Sequence, residues 1–175
     1  MSKERNRLDP ASRAPLEELL LAFPGGFNAI RDLQERRAVV SQFLAEPELD
    51  PRVTLEDRTI PGPAGEQKVR VYRPRNATGA LPGLIFVHGC GMILGSVEGQ
   101  AGISQMLCAE SGAVVVSVDY RKAPENPYPA GIDDCYVSGH VKLPIGGHGT
   151  AHWWPAELPT GGQQNCPLLF RPTAS

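Results

Sequence analysis

His88-Gly89-Cys90-Gly91 follows directly on an unbroken apolar run, Leu84-Ile85-Phe86-Val87. A Gly-rich turn in that place exposes successive backbone N–H groups at the carboxyl edge of a sheet, where open α/β sheets bind their ligands. N–H groups that converge on one point stabilise the oxygen of a tetrahedral intermediate. Small residues suit the turn because a side chain would obstruct an approaching carbonyl. The same four residues also suit a tight turn held by a buried histidine, since Gly-rich turns are common. Spacing alone leaves both readings open.

A second cluster follows the next apolar run. Val118–Ala130 reads VDYRKAPENPYPA, and His88–Ser96 reads HGCGMILGS. Together these segments resemble the hormone-sensitive-lipase family of α/β-hydrolases, which are carboxylesterases. The first is similar to that family's HGGG oxyanion loop, the second to its DYRLAPE segment followed by Pro-aromatic-Pro. The resemblance covers about residues 15–137. It implies that Cys90 and Gly91 supply oxyanion N–H groups, that Gly89 shapes the turn, and that His88 orients the loop rather than acting as a base. By the same resemblance Asp119, Tyr120, Arg121 and Glu125 are scaffold, with Arg121 and Glu125 bracing the segment as a charge pair. Their charges also suit a solvated loop, because surface ion pairs contribute little. Cys90 stands where the family has glycine. If that position needs a left-handed backbone, its side chain costs roughly 1–2 kcal/mol. No suitable base for a Cys90 nucleophile is identifiable.

The family's nucleophile sits on a GxSxG turn after the second motif, and this sequence departs from that pattern. Ser104 has Gly102 two residues before it but Met106 two after, Ser96 has Leu94 at minus two, and Ser138 has Tyr136. The other serines fail as well, and no acid and histidine follow in the required order. The resemblance therefore implies a carboxylic-ester hydrolase of small acyl or aryl esters, with no cofactor, cut off before its catalytic serine and inactive alone. The alternative is a non-catalytic fragment or interaction protein.

The elements that must position these residues are legible in the pattern. Leu16, Leu19, Leu20 and Phe23 mark one helical face, Pro24-Gly25-Gly26 breaks the chain, and Ile30 to Leu44 continues as a second helix. Val53–Ile60 and Gln67–Tyr72 read as a β-hairpin around Pro61-Gly62-Pro63. In the second strand Val69 and Val71 share one face, and Lys68, Arg70 and Tyr72 the other. Leu84–Val87 and Ala113–Val118 lack alternation, as strands buried on both faces do. With a helix at about Gln100–Glu110 between them they form a βαβ unit. Ala130–Val137 opens another helix.

The expected fold class is α/β: an incomplete α/β-hydrolase sheet in which an antiparallel hairpin leads into parallel βαβ strands. The expected domains are 1–50, cap helices; 51–137, the N-terminal part of the core; and 138–175, an irregular tail foreign to the fold. Beyond Val137 only Lys142, Glu157 and Arg171 are charged, among five prolines and six glycines. We expect the reading frame to leave the esterase gene near residue 137. His148 and His152 stand four apart, but Gly149 and Pro155 make a helical metal pair a poor reading, and Trp153-Trp154 reads as loosely packed. The lost half would leave Ile85, Phe86, Val87 and Val114–Val116 open to solvent, with low solubility.

Composition narrows the classes further. The 175 residues carry a formal charge of −2, from 17 basic and 19 acidic residues, which is no footprint of a nucleic-acid binder. No run approaches the roughly 20 apolar residues of a membrane span, and Glu17 and Glu18 interrupt the early apolar stretch, unlike a signal peptide. A cytoplasmic location is the default. Cys90, Cys108, Cys135 and Cys166 form no CxxC pair and read as free thiols. Nothing in the sequence sets the oligomeric state.

Overall fold

The computed structural model describes residues 9–140. The expectations for Cys166, His148, His152, Trp153-Trp154 and the tail beyond His140 lie outside the described residues. The chain divides into two units after Phe43. In the first, α1 (Pro10–Ala22) begins where the Asp9 carboxylate accepts from Ala11 N at 2.8 Å, with Pro10 in the first turn. These are an N-cap and a proline where no helical N–H partner is lost. Pro24-Gly25-Gly26 ends it, and Gly25 and Gly26 take φ of 86° and 69°. A short 3-10 turn, Phe27–Ala29, leads to α2 (Leu33–Phe43). Asp32 caps α2 by accepting from Glu35 N at 2.8 Å. Phe23, Phe27 and Phe43 gather with ring centroids 4.8 to 5.6 Å apart.

The second unit is a four-stranded mixed sheet in the order β1-β2-β4-β3. The hairpin is β1 (Val53–Gly62) and β2 (Gly65–Pro74), antiparallel from Val53↔Pro74 to Gly62↔Gly65. β2 pairs antiparallel with β4 (Val114–Val118), and β4 pairs parallel with β3 (Gly83–Val87). The crossover between β3 and β4 carries α3 (Ala101–Ser111), which ends at Gly112 in the left-handed region. α4 (Ala130–Ser138) follows β4.

Alternation along the strands builds two cores. Ile60, Val69, Val71, Val114 and Val116 form one, with Leu81 and Ile85 against it. Gln67 shares their parity and donates to the Asp134 carbonyl of α4 at 3.3 Å, so α4 covers this face. Val53, Tyr72 and Val115 meet Ala101 and Cys108 of α3 on the opposite face. Burial pushes the Cys108 and Cys135 thiols up to about 11, and Cys90, Cys108 and Cys135 are free.

Two expectations about the apolar runs are corrected. Val114–Val116 are fully buried, not open to solvent, because β4 lies inside the sheet between β2 and β3. β3 is not buried on both faces. It is an edge strand among the described residues, Leu84, Ile85 and Phe86 are only half-buried, and Val87 is 43% exposed. The run of apolar residues reports membership of a parallel pair but not position in the strand order.

Residues 44–50, expected with the N-terminal helices, belong to the sheet unit. Glu46 pairs with Arg70, and Asp50 N donates to Gln105 Oε1 at 2.6 Å. Arg70 is itself unexpected: its side chain is buried on the α3 face of β2, where it meets Asp57 at 2.7 Å, directly opposite in register, and Glu98 at 3.8 Å. One cation thus ties the segment before β1, β1 itself and the approach to α3. Among the described residues no helix is long and apolar enough to cross a membrane.

Hydrogen bonds to Arg70 hold the Asp57 carboxyl below the usual carboxylate range. An unfolded aspartate takes up its proton near pH ~4, whereas folded Asp57 does so only at lower pH. Between those values the unfolded state binds more protons, so stability falls as pH drops below about 4. Acid titration of the unfolding midpoint is expected to record this fall, and Arg70→Gln is expected to shallow it.

Candidate active site

The turn after β3 is where the structure concentrates backbone strain. Cys90, Gly91 and Met92 have φ of 81°, 67° and 62°. Three successive residues with positive φ form a tight turn, closed by Leu94 N donating to Cys90 O at 3.2 Å. Two of the three carry side chains, each at a cost of about 1–2 kcal/mol. The left-handed backbone weighed for Cys90 is therefore present. Such strain persists only where the surroundings over-determine it.

Those surroundings are specific. The Tyr120 hydroxyl donates to the His88 carbonyl at 2.8 Å and lies 3.3 Å from the Gly89 carbonyl and from His88 Nδ1. The two rings stack at 4.3 Å with 19° between planes. Met92 O accepts from Ala123 N at 3.0 Å, a direct backbone bond between the first motif and the second. Gly95, at φ 81°, passes so close that an added Cβ would sit 3.1 Å from His88 Nδ1 and 3.2 Å from Gly89 O. Gln100, at the start of α3, accepts from Gly89 N at 3.4 Å and reaches Cys90 Sγ at 3.7 Å.

The N–H groups divide accordingly. That of Gly89 is turned to Gln100, while those of Cys90 and Gly91 donate no hydrogen bond among the described residues. Successive N–H groups in such a turn form a concavity that attracts negative charge. His88 cannot serve there as a base in ready contact with solvent. It is almost wholly buried, and burial lowers its pKa. Its Nδ1 faces the Gly89 carbonyl at 3.0 Å; a carbonyl cannot donate, so Nδ1 carries the proton.

The second motif is anchored on α4. The structure gives Arg121 a partner in Asp134, which accepts from the guanidinium Nε at 2.9 Å and Nη2 at 2.9 Å and from Arg121 N at 2.8 Å. Asp134 is buried on α4, while Glu125 lies exposed in the turn closed by Asn126 N donating to Lys122 O. Asp119 meets Lys122 at 3.3 Å, and Lys122 Nζ lies 5.8 Å from the Tyr120 ring centre. Gly131 is packed under the segment: an added Cβ would meet Arg121 O and Met92 Cε, both at 2.7 Å. Sequence reasoning missed Gly95, Gln100 and Asp134. Nothing local separates Asp134 from its neighbour Asp133, since both occupy the same helix and only one faces inward. Among the described residues no group of three or more His, Cys, Asp or Glu is gathered for a metal.

Comparison with known proteins gives a consistent set of relatives. Residues 84–141 match a family model described as an alpha/beta hydrolase fold. Carboxylesterase NlhH of Mycobacterium tuberculosis is 39% identical over 136 residues, covering 77% of this chain and 41% of the relative. Carboxylic ester hydrolase LipN of the same organism is 35% identical, covering 76% and 35%. Among solved structures, a hyperthermophilic esterase from Pyrobaculum calidifontis superposes with a TM-score of 0.61 at 38% identity, over 75% of this chain and 42% of that one. A thermostable esterase from Pseudomonas putida gives 0.68 at 30%, over 76% and 42%. The chain spans about two fifths of the length of these relatives, somewhat less for LipN.

Two substitutions probe the loop. Cys90→Gly relieves the left-handed side chain, partly offset by roughly 0.4–1 kcal/mol of added unfolded-chain entropy. Urea denaturation is expected to register a net gain of about 0.5–1 kcal/mol. Gly131→Ala drives a methyl into a carbonyl oxygen and is expected to lower stability by about 1–3 kcal/mol in the same assay.

Proposed function

This chain belongs to the hormone-sensitive-lipase-type α/β-hydrolase family of carboxylesterases, and from that premise we propose that it forms the portion of a carboxylic-ester hydrolase that receives the substrate's carbonyl oxygen. The observation that supports the reading is the pair of N–H groups at Cys90 and Gly91 that donate no hydrogen bond among the described residues, held in a positive-φ turn at the carboxyl end of a parallel strand. Developing negative charge on a small acyl or aryl ester is stabilised by donors already in place, with no reorganisation during reaction. Gly89 shapes the turn, His88 orients it as a neutral buried group, and Tyr120 fixes the His88 carbonyl. Arg121 and Asp119 hold the second motif as scaffold, and Glu125 belongs to the same segment.

A receiving loop polarises a carbonyl but does not attack it. Ester cleavage by the Ser-His-Asp route uses a serine activated by a histidine, and within these 175 residues no serine stands in a GxSxG pattern. That absence favours a second reading, a non-catalytic fragment or interaction protein. Turnover separates the two.

The purified chain is expected to give no hydrolysis of a short-chain nitrophenyl ester and no labelling by a fluorophosphonate. Residues 1–137 fused to the remaining portion of carboxylesterase NlhH are expected to hydrolyse that ester. A fusion that folds cooperatively yet turns over nothing refutes the receiving role. Tyr120→Phe in an active fusion is expected to lower kcat, because the loop loses the hydroxyl that fixes its carbonyl.

A further inference from the structure

Between α3 and the sheet lie polar side chains that no group among the described residues satisfies. Ser104 Oγ, Ser117 Oγ and His88 Nε2 are buried and have no hydrogen-bond partner among the described residues. All three belong to one region. Ser104 is three residues after Ala101 and four before Cys108, so it shares the face by which α3 packs on Tyr72 and Val115. Ser117 is two residues after Val115 on β4, on the same sheet face, and stands opposite Phe86 of β3 and Arg70 of β2 in register. His88 is two residues after Phe86 and continues that alternation. The Tyr72 phenol lies on this face as well, beside the Arg70 guanidinium.

The unmet valences are complementary to water. Nδ1 of His88 donates to Gly89 O, which leaves Nε2 as an acceptor in need of a donor. Each serine hydroxyl offers one donor and accepts as well. A buried hydroxyl or imidazole without a partner is costly, and folded proteins leave few of them. A buried water typically makes about three hydrogen bonds to such groups. We infer that an internal hydration site lies beneath α3, in which ordered water bridges Ser104, Ser117 and His88 Nε2 and so ties the oxyanion loop to the α3–sheet interface.

This site does not depend on the ester-hydrolase reading, because it concerns how the loop's histidine is held whatever the loop binds. The sign of a mutational effect tests it. Where water satisfies the hydroxyls, Ser117→Ala and Ser104→Ala each strip a bridge partner and raise the unfolding equilibrium constant about fivefold, which urea titration reads as a lower midpoint. The double variant costs less than the sum, since both act through the same water. Where no water is present, each alanine removes an unsatisfied hydroxyl, and the midpoint stays or rises. An unchanged or raised midpoint for both single variants overturns the site. A crystal structure fine enough to place solvent gives an independent reading: water within hydrogen-bonding distance of Ser104 Oγ, Ser117 Oγ and His88 Nε2 is expected, and its absence there overturns the inference.

Discussion

The turn at Cys90, Gly91 and Met92 runs against the handedness that L-amino acids prefer, and the structure around it is arranged to make that conformation persist. Among the described residues the N–H groups of Cys90 and Gly91 donate no hydrogen bond while the turn holds this conformation. The Tyr120 hydroxyl holds the first carbonyl of the loop, Ala123 N holds the carbonyl of Met92, and Gly95 closes the space into which His88 or Gly89 would otherwise shift. Remove these and the loop loses its reason to be left-handed.

The restraints from Tyr120 and Ala123 come from the second motif, later in the chain, and strand topology is what brings it there. β3 and β4 run parallel and adjacent, so the loops leaving their carboxyl ends emerge at the same edge of the sheet. α3 occupies the crossover, and Gln100 at its N-terminal cap reaches the loop. The second motif is fixed from below by Asp134 of α4, whose carboxylate takes both the backbone and the guanidinium of Arg121. Each motif is therefore held by the other and by the helix that follows it.

Charge does a different job at the opposite side of the sheet. Arg70 is drawn into the α3 face and surrounded by Asp57, Glu46 and Glu98. Its acids remain partly open to solvent, so the cation is the buried member and its removal would not strand a carboxylate. Glu98 sits between the strained loop and α3. The network thus ties the approach to α3 to the sheet, through residues other than those of the turn at Cys90, Gly91 and Met92.

From the sequence come the two motifs, the hairpin, the βαβ unit and the helix at residue 130, because each rests on local periodicity or on a run of unusual residues. The sequence also places a side chain at position 90, where the family has glycine. Only the tertiary structure decides which apolar run lies inside the sheet and which at its edge, since Leu84–Val87 and Val114–Val118 are alike in composition and differ in how many strands flank them. It alone selects Asp134 as the partner of Arg121, because that choice depends on which way α4 faces when it packs. The unpartnered serines beneath α3 are likewise invisible in a string of residues: burial and satisfaction are properties of what surrounds a side chain, and the surroundings here are assembled from segments far apart in the chain.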